Sequence, residues 1–103
     1  MNIYAKDAIV KLKAEEKTGK FNARASAMKS AVREALEGFC EQDGEFAQAV
    51  AQGGGFKECM EAVAKGVGSS ISDLEAYRRA VQFYFPGAQI HMNMTIDLIG
   101  AAG

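Results

Sequence analysis

The sequence predicts a mainly α-helical fold, a small bundle of four to five short helices followed by a C-terminal β segment, which leaves an α+β fold open. Three observations support this prediction. The 103 residues fit a single domain over 1–103 with one small core. The hydrophobic fraction of 49% and the charged fraction of 24% are typical of folded proteins. Apolar residues recur at steps of three and four up to Phe85 and alternate with polar residues after Pro86.

The first predicted helix lies within residues 1–20, a basic segment whose apolar side chains follow helical spacing until Gly19. A helical core over 23–85 comes next, and Asn22 is a suitable cap for its first helix. This helix carries the widest apolar stripe of the chain. We expect it to end at Gly44, because glycine readily adopts the positive φ that often follows a helix.

A short helix with Phe46 and Val50 one turn apart is predicted next, and the three glycines at 53–55 form a loop after it. A phosphate-binding loop would need a preceding strand and a following Lys-Ser or Lys-Thr pair, and neither is present. Residues 56–67 predict a further helix from the spacing of their apolar side chains.

The last predicted helix begins with a capping box, in which Ser72 and Glu75 each satisfy a backbone amide of the first turn. It ends at Phe85, because Pro86 disfavours helix at the residue before it. Residues 88–99 then alternate between apolar and polar side chains, which predicts a strand. Since a lone strand needs a partner, we expect pairing with the N-terminal segment, with another protein or with a second copy in a homodimer.

Three aromatic residues directly precede Pro86 and pose a choice between a recognition surface and a buried helix end. Tyr77, Val81 and Tyr84 share one face of the predicted helix with Leu74. Because each buried aromatic removes roughly 150–250 Å² from water, we predict that the cluster is mostly core.

The sequence gives no indication of an enzyme, a cofactor or a metal site. Cys40 and Cys59 are too far apart for a zinc-binding pair, and only His91 could supply an imidazole ligand. Both cysteines fall on apolar helix faces with acidic flanks, where a thiol is unreactive. The first residues lack the apolar run of a signal peptide, and no segment is long and apolar enough to cross a bilayer. We therefore expect a non-enzymatic cytoplasmic protein.

Charge is unevenly distributed along the chain, although the formal net charge is only −1. An acidic segment between Glu34 and Glu61 could bind a basic partner. The candidate partner-binding residues are Glu37, Glu41, Asp43 and Glu45, together with Arg78 and Arg79 of the last helix. The N-terminal segment offers the alternative of nucleic-acid binding, and its candidate residues are Lys6, Lys11, Lys13, Lys17 and Lys20.

Three stretches occur in order over a little more than half of the chain: "DGEFAQAV", "FKECMEAVAK" and "SDLEAYRRAVQFYF". This order resembles the PcfK-like family of small proteins from bacterial mobile elements. The positions that carry the resemblance are Glu45, Phe46, Cys59, Asp73, Glu75, Tyr77, Ala80, Phe83 and Tyr84.

The resemblance implies a protein of a phage or mobile element, and one branch of the family consists of anti-CRISPR proteins that inhibit the Cas9 nuclease. The implied partner is Cas9 or another nuclease effector of the host, bound without any active site. The acidic segment would then lie where Cas9 normally holds phosphates in positively charged channels. Two other hypotheses are a nucleic-acid-associated accessory factor of conjugation or plasmid replication, and a structural phage or plasmid component.

Overall fold

A computed structural model describes residues 3–67 and 71–90 of the chain. These residues form five α-helices, which are α1 (Ala5–Thr18), α2 (Ala23–Gln42), α3 (Gly44–Gln52), α4 (Phe56–Ala64) and α5 (Asp73–Tyr84). The described ranges contain no strand, and the predicted mainly helical fold is confirmed there. Residues 88–90 of the predicted strand are not in a strand, and the remainder of that strand lies outside the described residues.

One apolar core joins the five helices, and α2 contacts each of the other four. Within the described residues, no polar or charged residue belongs to this core. Each large side chain that it buries completely contributes roughly 1.5–3 kcal/mol. The largest of these are Leu12, Val32, Leu36, Val50, Phe56, Met60 and Val63. Hydrophobic burial along the apolar face of α2 therefore drives the association of the helices.

Side-chain caps define where α2 and α3 begin. The predicted Asn22 cap is confirmed, since its Oδ1 accepts a hydrogen bond of 2.8 Å from the Ala25 amide. Asp43 serves two helices: its amide donates to the Phe39 carbonyl at 3.1 Å, and its Oδ1 accepts from the Phe46 amide at 3.0 Å.

The prediction that α2 ends at Gly44, with a positive φ there, is wrong. Gly44 is the first residue of α3 and its φ is not positive, because the Asp43 cap starts a new helix at once.

Of the two hydrogen bonds in the predicted capping box of α5, only the one accepted by Ser72 is confirmed. Ser72 Oγ accepts a hydrogen bond of 3.2 Å from the Glu75 amide. The Glu75 carboxylate does not complete the box but binds the guanidinium groups of Arg78 and Arg79, which offer charge-assisted hydrogen bonds. Phe85 caps the C-terminal end of α5, as predicted.

The glycine loop between α3 and α4 is attached to α1 by two side chains one turn apart. Lys11 Nζ donates to the carbonyl oxygens of Val50, Gly53 and Gly54 at 2.6, 3.0 and 2.9 Å. An ammonium group has three N–H donors, and here each has an acceptor. Glu15 Oε1 accepts a hydrogen bond of 3.0 Å from the Phe56 amide, at the first residue of α4.

Tyr84 lies at the end of α5 with its side chain in the core and only 8% of its surface exposed. Its hydroxyl is the one buried side-chain oxygen or nitrogen in the described ranges without a hydrogen-bond partner. Burial raises the pKa of this phenol, and the nearby Cys59 and Glu15 raise it further. The ring of Tyr84 faces Lys11 Nζ at 5.8 Å, which adds an attraction between the cation and the ring.

Alanine substitutions at two glycines are expected to have opposite effects on stability. Gly38 lies inside α2 with open space where a Cβ would be, whereas a Cβ on Gly53 would lie 2.4 Å from the Ala49 carbonyl oxygen. We expect Gly38→Ala to raise the free energy of unfolding by about 0.5–1 kcal/mol, because alanine favours helix. Gly53→Ala should lower it. Urea unfolding followed by circular dichroism measures both, and equal effects of the two substitutions would contradict the described loop.

Candidate functional site

Three carboxylates lie exposed where α2 meets α3, namely Glu41, Asp43 and Glu45. None of them forms an ion pair with another described residue, although Asp43 caps α3 with one oxygen. Carboxylates without cationic neighbours are free to bind a basic group from outside. Three of the four predicted acidic residues are thus exposed within five positions of the chain, around the junction of α2 and α3.

Glu37, the fourth predicted acidic residue, lies in a different environment. Its side chain is only 17% exposed and accepts a hydrogen bond of 2.8 Å from Arg33. Arg33 also binds Glu16 of α1. Burial alone would raise the pKa of Glu16, but hydrogen bonds from Ser30 and Arg33 outweigh it and lower this pKa. Glu37 therefore helps to join α2 to α1.

An apolar groove of about 230 Å³ lies beside the exposed carboxylates, and Asp43 and Glu45 belong to its wall. The rings of Phe39 and Phe46 meet edge to face in this region, with their centres 6.4 Å apart. Phe85 lines the groove and keeps 37% of its surface exposed. The carboxylates and the aromatic rings together form a surface that is acidic at its edge and apolar in its middle.

The turn after α5 completes the groove. Gly87 has a φ of +90°, which glycine adopts without strain, and the Ala88 amide donates to the Phe85 carbonyl at 3.0 Å. Gln82 Nε2 donates to the Ala88 carbonyl at 3.3 Å and holds the reversed chain against α5. As a result Ile90 packs on the core and lines the groove.

The aromatic cluster before Pro86 contributes to both the core and the surface. Tyr84 is buried and Tyr77 and Phe83 are half-buried, whereas Phe85 is exposed in the groove. Leu74, which shares the predicted face with Tyr77, is exposed because α5 buries its alanines instead.

The two candidate arginines of α5 differ in surroundings. Arg79 Nη1 donates to the carbonyl oxygens of Val63 and Lys65 at 2.9 and 3.1 Å, and so satisfies the C-terminal end of α4. Arg78 is exposed and paired with Glu75. Hydrogen bonds from Arg78 and then from Arg79 lower the pKa of the Glu75 carboxyl to about 2. Both arginines thus already have an anionic partner within α5.

The five candidate lysines of the N-terminal segment do not form one surface. Lys6, Lys13 and Lys17 are exposed and recur at steps of seven and four, which places them on one face of α1. Lys20 is exposed after the end of α1, whereas Lys11 binds the glycine loop. The helix therefore presents three lysines in a row.

The two cysteines are thiols within the core, on α2 and α4. Burial raises the pKa of Cys40 to about 12, and the charges of Glu37 and Glu41 add to this effect. Burial also raises the pKa of Cys59 to about 12. Both groups are protonated at neutral pH, and a protonated thiol is a poor nucleophile.

Within residues 3–67 and 71–90, no three side chains of histidine, cysteine, aspartate or glutamate come together as a metal site would require. None of the described helices combines the length and the apolar character needed to span a membrane. His91 lies outside the described residues.

The chain matches no protein-family model, no curated protein and no solved structure.

The apolar groove was not predicted from the sequence, although the carboxylates at its edge were among the predicted site residues. Phe39 and Phe46 follow core-like helical spacing, and only the turn after α5 brings Phe85 and Ile90 to the same place. The Pro86 and Gly87 pair was the available signal, because such a pair marks a chain reversal.

The role of Lys11 can be tested by comparison with Lys13, which is exposed on the same helix. Lys11→Met leaves one carbonyl of α3 and two of the glycine loop without their donor, and we expect the free energy of unfolding to fall by about 1–3 kcal/mol. Lys13→Met should change it by about 0.5 kcal/mol or less. Denaturant unfolding of both variants measures the difference, and similar values would show that the loop does not depend on Lys11.

Proposed function

We propose that this protein is a non-enzymatic binding protein that attaches to a basic surface of a partner protein through Glu41, Asp43 and Glu45. The observation that carries this proposal is the exposure of three unpaired carboxylates in the described region beside an apolar groove. A surface with charges at its rim and aromatic side chains at its centre is typical of protein interfaces. The rim charges attract the partner over a distance, and the apolar middle supplies contact area.

Following the resemblance to PcfK-like proteins, we propose Cas9 as the partner and inhibition of Cas9 as the function, in the manner of an anti-CRISPR protein. Two features support this choice. Cas9 holds nucleic acid in positively charged channels, to which an acidic surface is complementary. The clustered carboxylates also include Glu45, which is one of the positions in the resemblance.

Neutralising the three carboxylates tests the acidic surface. The variant Glu41→Gln, Asp43→Asn and Glu45→Gln keeps the α3 cap, because asparagine caps as well as aspartate. We expect it to associate with Cas9 about tenfold more slowly and to inhibit DNA cleavage less, since complementary charges accelerate association. Pull-down with purified Cas9, with and without guide RNA, and a cleavage assay provide the measurements.

The matched control is Asp7→Asn, Glu34→Gln and Glu61→Gln, which removes the same charge from exposed positions elsewhere. It should inhibit like the unmodified protein. Equal inhibition by both folded variants would remove the acidic surface from the mechanism. No binding of the unmodified protein to Cas9 would remove Cas9 as the partner.

A second candidate function is nucleic-acid binding, which is favoured by the exposed row of Lys6, Lys13 and Lys17 on α1. Such a protein would act as an accessory factor of conjugation or replication. It would contact phosphates through these three ammonium groups and would read no base.

Salt dependence tests this second function. If the three lysines contact duplex DNA, the plot of log affinity against log salt should have a slope of about −2.7, and Lys13→Gln should reduce its magnitude by about 0.9. Lys57→Gln on α4 is the control and should leave the slope unchanged. Fluorescence anisotropy with labelled DNA measures the slope, and the absence of binding at low salt would exclude this function.

A further inference from the structure

The groove between α2, α3 and the turn after α5 has the size of a side-chain pocket. Its volume is about 230 Å³, and Phe39, Phe46, Phe85 and Ile90 supply apolar walls. Sites that enclose a whole small molecule have volumes of roughly 300–1,000 Å³. The groove is smaller than these, and it accommodates one large apolar side chain better than a free ligand.

The charged residues that line the groove are all acidic. Asp43 and Glu45 belong to its wall, and no lysine or arginine does so within the described residues. A hollow of about 600 Å³ along α3 shares Glu45 and Phe85 with the groove and extends it, but this hollow is open to solvent and does not enclose a ligand. The surface is therefore longer than one side chain, and its two carboxylates, Asp43 and Glu45, both lie in the groove itself, since Glu45 is the one described charged residue that lines the hollow.

We propose that the groove binds a segment of the partner protein in which one large apolar side chain lies between lysine or arginine residues. The apolar side chain inserts among Phe39, Phe46 and Phe85, and the flanking cations bind Asp43 and Glu45. This proposal rests on the proposed function and specifies which part of the partner is recognised. A large side chain in a central pocket, with polar groups at the rim of the interface, is a common arrangement in protein complexes.

Two other occupants are less suitable, the first because of its charge and the second because of its symmetry. Residues 91–103 follow the groove in the chain, but they contain Asp97 and neither lysine nor arginine. A second copy could offer the lysine row of α1 together with Val10. Such a contact joins two different surfaces and would build rings or open chains rather than a symmetric pair.

A peptide titration tests the recognition chemistry on the full chain. The probe is the peptide Ser-Lys-Arg-Leu-Arg-Lys-Ser, and the readout is the change in NMR chemical shifts of the protein. We expect shifts at Phe39, Phe46 and Phe85, and binding about tenfold weaker when alanine replaces the leucine. A peptide with glutamate in place of each cation should not bind. Absence of shifts at the groove with the leucine peptide would overturn the proposal.

The same spectra identify the competing occupants. Contacts between residues 91–103 and the groove rings in the free protein would assign the groove to the chain's own end and overturn the proposal. Groove shifts that depend on protein concentration without peptide would assign it to a second copy, and would likewise overturn it.

Variants separate this proposal from the Cas9 assignment. Phe85→Ser should weaken the leucine peptide about tenfold and reduce Cas9 inhibition, whereas Val10→Ser, at an exposed apolar position of α1, should change neither. Glu45→Gln provides a second variant that leaves the core intact. Peptide binding without any Cas9 binding would retain the groove and reject Cas9. Cas9 inhibition that is unaffected by Phe85→Ser and Glu45→Gln would retain Cas9 and reject the groove.

Discussion

The attachment of the glycine loop to α1 is the constraint on which the arrangement of the helices depends. Glycine loses more conformational freedom on folding than any other residue, so ordering three consecutive glycines is costly. Lys11 and Glu15 offset this cost by binding the two ends of the loop from one turn of α1. Their charges match the helix dipoles, since the ammonium group lies at the C-terminal end of α3 and the carboxylate at the N-terminal end of α4.

The candidate site depends on this attachment because α3 supplies part of the groove. Fixing the C-terminal end of α3 sets the direction of that helix, while Asp43 fixes its other end. Phe46 and Glu45 then face α5 and the turn after it. The groove is thus formed by elements that are distant in sequence, and its shape follows in part from polar contacts at the other end of α3.

Local signals in the sequence were sufficient to predict the helices. Asn22 and Ser72 cap helices through interactions that span three residues, and the stripe of α2 repeats within each turn, so these features were predictable. Tertiary contacts were not predictable from spacing. Lys11 looks like any other lysine of the basic segment, and only the packing of α1 on the loop distinguishes it. The groove escaped prediction for the same reason, since it requires the chain to return to α3 after Gly87.

Asp43 belongs to the fold and to the candidate site at once, because it joins α2 to α3 without an intervening linker and also lines the groove. Adaptation of this surface to a new partner therefore has an unusual restriction at this position. A replacement chosen for affinity alone would loosen the corner between two helices unless it also caps α3, as asparagine does, so that recognition and rigidity are coupled at this position.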